Sequence, residues 1–182
     1  NAMSMIRTGV KASDIGRTIE TTIKQMGYKP IANLSGHSLE QYTIHAGKSI
    51  PNIWSIGGFS LSENMAYACE PFVTTEDGGG FVRNGKIRNI FALNSRKKTK
   101  NQEADKLLDF IWENFNMLPF ALRWITKEWD EPTARELLEH LVKKKAVQAY
   151  PILMEVNEQR VAQAEHTFIP NNEGVTITTQ AL

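Results

Sequence analysis

The chain has 182 residues, 41% hydrophobic and 23% charged, values that suit one globular domain with or without a modest insertion and exclude a disordered polypeptide. Twenty-one basic residues against twenty acidic ones leave a formal charge of +1, so bulk charge gives no strong affinity for polyanions. No apolar run reaches the roughly 18 residues of a membrane span, no signal peptide opens the chain, and the single Cys69 excludes an internal disulfide framework and suits a reducing compartment.

Asn1-Ala2 ahead of Met3 reads as residue left by an expression tag and is set aside in reading the fold. Ile15, Ile19, Ile23 and Met26 then recur at helical spacing, with Ser13 as N-cap, Gly27 just past the end and Pro30 blocking continuation. This pattern predicts an amphipathic helix lying on a sheet. From Ile31 to Leu93 the chain changes to short extended stretches. Met65 to Phe72 reads as a strand, with Met65, Tyr67 and Cys69 on one face and Ala66, Ala68 and Glu70 on the other. Gly78, Gly79 and Gly80 lack the Gly-x-x-x-x-Gly-Lys phosphate pattern, so they read as a hairpin loop, with Lys86 to Leu93 as the returning strand.

Three helices follow. Ala104, Leu107, Leu108, Ile111, Trp112 and Phe115 form one stripe, and Ala121, Trp124, Ile125 and Trp129 a shorter one. The third carries Ala134, Leu137, Leu138, Leu141 and Val142, opened by Thr133 and Glu136 at capping-box spacing and closed by Lys143 to Lys145; His140 reads as surface. Ala146 to Tyr150 and Ile152 to Val156 make a ribbon, so the region resembles a winged helix. Arg160 to Ile169 and Gly174 to Thr179 are strand candidates.

Metal-type ligands fall in three of the extended segments, around His37 to His45, Cys69-Glu70 and Glu165-His166. A carboxylate buried without a partner costs several kcal/mol, so buried examples are paired or bind metal. Spacing alone, however, favours solvent-exposed faces for Glu70 and Glu165. His37 and His45 are eight positions apart, which one unbroken strand would point the same way. His166 faces away from Glu165 in a regular strand, and Cys69 reads as a small buried hydrophobe.

Together the blocks Asn33-Leu34-Ser35-Gly36-His37-Ser38-Leu39-Glu40, His45-Ala46-Gly47-Lys48-Ser49-Ile50-Pro51-Asn52, Ala68 to Phe72 and Ala164-Glu165-His166-Thr167 resemble the C-terminal portion of an archaeal type II methionine aminopeptidase, a pita-bread metallopeptidase. Leu118 to Trp124 is similar to part of the helical insertion of type II members, and the similarity runs from about Ile6 to the C-terminus. The resemblance implies an α+β chain: the C-terminal half of a pita-bread fold, an antiparallel sheet with a covering helix, plus a winged-helix-like helical insertion. Residues 6–95 and 157–182 would form the partial catalytic domain and residues 96–156 the insertion.

In that family two divalent metals (cobalt, manganese, iron or zinc) bridge a hydroxide that attacks the peptide carbonyl after an N-terminal methionine. By motif match His37, Glu70 and Glu165 are metal ligands, Glu165 is shared between the metals, Glu70 also moves the proton, and His45 bonds substrate outside the metal shell. The resemblance further implies a cytoplasmic location, nascent chains or N-terminal Met peptides as partners, and possible ribosome association.

The family's two upstream aspartates and an upstream histidine have no counterpart: Asp14 lies in the opening helix, and Asp77, Asp105, Asp109 and Asp130 match no ligand motif. The expectation is a truncated or natural fragment that binds at most one metal, weakly, has little or no activity alone, and can self-associate through exposed sheet. Three alternatives compete. One is a non-catalytic pita-bread binding module, which retention of His37, His45, Glu70 and Glu165 disfavours. Another is nucleic-acid binding through Arg96 to Lys100 and Lys143 to Lys145, which the near-neutral total disfavours. The third, prolidase-like dipeptide cleavage within the same fold, is disfavoured by the helical insertion.

Overall fold

The computed structural model describes residues 1–180. After a 3-10 turn at Met3–Met5, the elements in chain order are α1 (Ala12–Gln25), β1 (Lys29–Pro30), β2 (Ser35–Leu39), β3 (Ser49–Pro51), β4 (Ala66–Cys69), β5 (Phe72–Thr74), β6 (Val82–Leu93), α2 (Gln102–Phe115), β7 (Phe120–Ala121), α3 (Leu122–Ile125), α4 (Glu131–Lys143), β8 (Val147–Glu155), β9 (Val161–Gln163), β10 (His166–Pro170) and β11 (Val175–Ile177). The chain folds as two compact units, one of Asn1–Arg83 with the segment from Met154 onward, the other of Asn84–Leu153.

The first unit holds a five-stranded sheet in the order β11-β10-β4-β2-β3 and a three-stranded one in the order β1-β5-β9. Directly opposed residues of an antiparallel pair share a face, and alternate residues change face. The pairings Gly36↔Ile50, Ser38↔Tyr67, Phe168↔Tyr67 and His166↔Cys69 therefore define one face of the larger sheet. Helix α1 covers it: Ile15 and Ile19 pack with Ile50, Tyr67, Cys69 and Phe168 in one buried cluster. Each such fully buried aliphatic or aromatic side chain stabilises the fold by about 1.5–3 kcal/mol. His37, Ala66, Ala68 and Thr167 lie in the alternate register, on the face turned away from α1. Only glycine fits at position 36, because a Cβ there would stand 2.1 Å from the Ala68 carbonyl oxygen.

Helix α1 begins at Ala12 with Lys11 as its N-cap, and Ser13, expected as the cap, lies buried inside it. The start is set by tertiary bonds instead: the Ala12 amide donates to the Phe59 carbonyl at 3.0 Å, and Lys11 bridges Ser60. At the other end Gly27, at φ +76°, follows the helix as expected.

The glycine-rich loop is not a hairpin turn. Strand β5 pairs with β1 and β9, while β6 belongs with β7 and β8. What shapes the loop is the carboxylate of Glu155, 2% exposed. Its Oε1 accepts from the amides of Gly79 (2.6 Å) and Gly80 (3.1 Å), and its Oε2 from those of Asn157 (2.7 Å) and Gln159 (3.2 Å). Burial pushes this carboxyl up, but the four donors outweigh burial and hold it below its usual range. The anion nest that a glycine run can form is thus filled by the chain's own side chain.

In the second unit β7-β6-β8 form a sheet, and α2, α3 and α4 pack with it around one apolar cluster that includes Leu107, Leu108, Ile111, Phe120, Leu138 and Leu141. The predicted Ala121–Trp129 stripe shrinks to α3, because Phe120 and Ala121 pair with Phe91 and Ile90 of β6. Helix α4 is capped by Asp130, whose side chain accepts from the Thr133 amide, so the capping box read at Thr133 starts three residues late. His140 is half-buried, with its Nε2 lacking a partner, rather than a surface residue. Strand β8 runs unbroken through Pro151, which an edge strand tolerates. Among the described residues no helix is long and apolar enough to cross a membrane.

Candidate metal centre

The region predicted as one strand, Arg160 to Ile169, breaks after Gln163, and its partner breaks after Cys69. Both breaks fall at the same level. The pairings His166↔Cys69 and Phe72↔Gln163 keep one register across the gap, so Glu70 and Glu165 fall opposite one another. Opposed like charges repel. Continuing the alternation places both carboxylates on the side of His37, the face α1 leaves uncovered.

His37 Nε2 stands 3.0 Å from Glu70 Oε1, the two side chains being 14% and 13% exposed. The other ring nitrogen, Nδ1, lies 3.3 Å from the Ser38 carbonyl oxygen. Donating its proton there makes Nε2 an acceptor. Glu70 Oε1 is buried and has no other hydrogen-bond partner, so in that tautomer two lone-pair carriers face each other. Such a contact calls for a proton or a cation.

The surrounding electrostatics point the same way. Burial first, and the Glu165 charge second, push the Glu70 carboxyl up to about 7, against a lowering hydrogen bond from Gln163. Burial, then the neighbouring His45, holds the His37 imidazole below its ordinary value; the Ser38 carbonyl and Glu165 oppose this. His45 reaches this place by a turn rather than along a strand. The chain reverses after β2, with Tyr42 at φ 59°, and brings the exposed His45 ring to 4.4 Å from that of His37, at 69°. Behind the sheet, burial and the Glu70 charge push the Cys69 thiol up to about 12, so it is an inert core group.

An imidazole nitrogen and a carboxylate oxygen 3.0 Å apart have the spacing of adjacent donors at roughly 2.1 Å from one cation. The pair therefore fits a divalent ion in donor type and spacing. A closed cage is not formed: among the described residues no three His, Cys, Asp or Glu stand close enough to enclose a metal. A cavity of about 810 Å³ lined by Arg7, Lys11, Asp14, Arg17 and Trp54, among others, shares no residue with this cluster and offers a single carboxylate. Alternation sets Gln163 on the polar strand face of Glu165 but gives it no role; in the structure its Nε2 donates to Glu70 Oε2 at 3.1 Å.

Residues 1–89 match the sequence model of metallopeptidase family M24. Over 184 aligned residues the chain is 40% identical to a methionine aminopeptidase of Saccharolobus solfataricus, covering 100% of this chain and 60% of that protein. It is 42% identical to one from Thermococcus kodakarensis, covering 98% and 60% respectively. It thus spans about 60% of the length of these relatives. Among solved structures, a thermophilic Arx1 superposes with a TM-score of 0.76 at 18% identity, over 92% of this chain and 45% of that one. A methionine aminopeptidase from Rickettsia prowazekii gives 0.57 at 17%, over 98% and 47%. The antiparallel sheet, the helix across one face and these likenesses agree on a pita-bread fold, and the chain is similar to metallopeptidase family M24 over residues 1–89 and to a portion of archaeal methionine aminopeptidases over nearly its whole length.

Proposed function

We propose that this chain supplies metal ligands and catalytic side chains to a type II methionine aminopeptidase acting on nascent proteins in the cytoplasm. The observation that carries the reading is the pair of opposed carboxylates, Glu70 and Glu165, across a shared break in two strands, with His37 Nε2 3.0 Å from Glu70 Oε1. In this reading the His37–Glu70 pair holds a divalent cation and Glu165, which does not yet stand close enough to enclose it with them, closes in as the third ligand on binding; imidazole with carboxylate suits cobalt, manganese, iron or zinc. When bound, the cation supplies Lewis acidity, lowering the pKa of water and polarising the scissile carbonyl. The Glu70 carboxylate accepts the proton of the attacking water and passes it to the leaving amine. His45, exposed beside His37, donates a hydrogen bond to the substrate carbonyl as charge develops on its oxygen.

One imidazole and two carboxylates are fewer donors than a pair of cations needs, so the isolated chain takes up at most one ion, weakly, and turns over little substrate. The test is calorimetric titration of manganese(II) into the chain, with release of methionine from a Met-Ala peptide as companion assay. Weak uptake lost in both His37→Ala and Glu165→Ala is the expected result. Uptake indifferent to both substitutions removes the site, and rapid methionine release removes the expectation of a feeble fragment.

A further inference from the structure

We propose that Gln163 is a positioning residue for Glu70: it holds Oε2 so that Oε1 stays turned toward His37, and so sets the affinity of that pair for a divalent cation. The inference rests on the metal reading above and extends it to a residue outside the ligand set.

The backbone fixes where Gln163 stands. It closes β9 opposite Phe72 of β5, and the neighbouring Ala164 amide donates to the Pro71 carbonyl at 3.2 Å. Glu70, two residues before Phe72, is thus its diagonal neighbour across the strands. Diagonal neighbours are about 7–8 Å apart, within reach of a long side chain. The Gln163 amide spans the gap and donates to Oε2 at 3.1 Å. Asparagine, one methylene shorter, falls short.

The two oxygens of Glu70 are consequently unlike. Oε2 has a neutral donor, while Oε1 is buried, has no hydrogen-bond partner and lies 3.0 Å from His37 Nε2. A carboxylate's terminal torsion is broad, so without a tether the group can rotate and present either oxygen, or neither, to the imidazole. The residue type matters as well. An amide donates a hydrogen bond while adding no charge. Lysine or arginine would donate but repel a cation, and a carboxylate would add a third like charge beside Glu70 and Glu165.

Gln163→Met keeps the length and removes the donor, and Gln163→Asn keeps the donor and removes the length. Manganese(II) titrated calorimetrically into each variant is expected to bind about tenfold more weakly than to the wild-type chain, the lower end of what losing a ligand's hydrogen-bond partner costs. Because Gln163 is exposed, the melting temperature stays put. A purely structural role predicts instead that Met, an equal filler, keeps full affinity. In the metal-free chain, the Gln163 side-chain amide signals in a nitrogen-15 spectrum shift when Glu70 is changed to alanine. Wild-type binding with Gln163→Met unchanged, or amide signals unmoved by Glu70→Ala, overturns this inference alone. A wild-type chain that takes up no manganese overturns the metal reading and this inference together.

Discussion

In the second unit, fifteen buried side chains from α2, α3, α4 and the adjoining strands close into one apolar cluster. In the first, a larger unit, the main cluster has eight, all tied to the one sheet face that α1 covers. The opposite face carries Ala66, Ala68, Thr167 and the polar group around His37 instead of a second apolar layer. Charge divides the same way. The second unit has thirteen Lys and Arg against nine Asp and Glu, a surplus of four positive, whereas the first has eight against eleven, a surplus of three negative. The acidic excess therefore lies with the unit whose donors suit a cation, where it favours cation approach. One unit is built for packing; the other gives up half its packing surface to chemistry.

The strongest way to break this contrast is to damage the packed unit and watch the polar one. Leu138, fully buried on α4, has no role outside the apolar cluster. Leu138→Ala is expected to cost about 3 kcal/mol by lost transfer energy and a residual cavity. Urea unfolding, followed with hydrogen exchange resolved by segment, reads it. Protection in 84–153 falls, while manganese uptake by the first unit is unchanged. A cost under about 1 kcal/mol would show that the cluster is loosely packed and the contrast overstated.

A smaller effect tests what the polar unit uses where it lacks apolar cover. Glu155 ties the glycine loop to residues 157–159, accepting from two amides of each segment. Glu155→Ala is expected to lower the melting temperature by roughly 5–10 °C. The pH dependence has a definite sign. A carboxyl held below its unfolded value stabilises above the unfolded pKa, about 4.3, and that stabilisation is lost as pH falls through the lower folded value. The gap between wild type and Glu155→Gln is thus full near about pH 6 and narrows from about pH 4 downward. A gap as wide at about pH 2 would assign the effect to shape instead of charge.

The same contrast explains which features the sequence disclosed. Helices α2 and α4 and the Ile15–Ile19–Ile23 stripe were legible because each buries one face and the 3.6-residue period records it. Ser13 misled because Ala12 is tied to Phe59, a contact of 47 residues' separation that no local propensity encodes. The triple glycine misled because its anion, Glu155, lies some 75 residues away. For Glu70, alternation alone suggested a solvated face, yet its side chain is 13% exposed; only the family resemblance drew it together with His37, His45 and Glu165. The strand breaks at Glu70 and Glu165 went unread because the register continues across them, so each stretch reads as one unbroken strand.

The smallest expected effect bears most directly on whether stability has been given up for chemistry. Glu165→Gln keeps the shape and removes one of the two opposed charges. In the metal-free chain Glu70, pushed up to about 7 by burial and by Glu165, is largely ionised at about pH 8 and faces a like charge. Opposed like charges in a β pair cost about 0.2–1 kcal/mol, so the variant is expected to melt about 1–2 °C higher there. At about pH 5 Glu70 holds its proton, the repulsion is absent in both proteins, and the two melting curves converge. With manganese added the order reverses, because only the wild type retains both carboxylates and gains stability from binding. A variant that melts lower than wild type at about pH 8 without metal would mean that Glu165 makes stabilising contacts of its own, and the open face would then be ordinary solvated sheet.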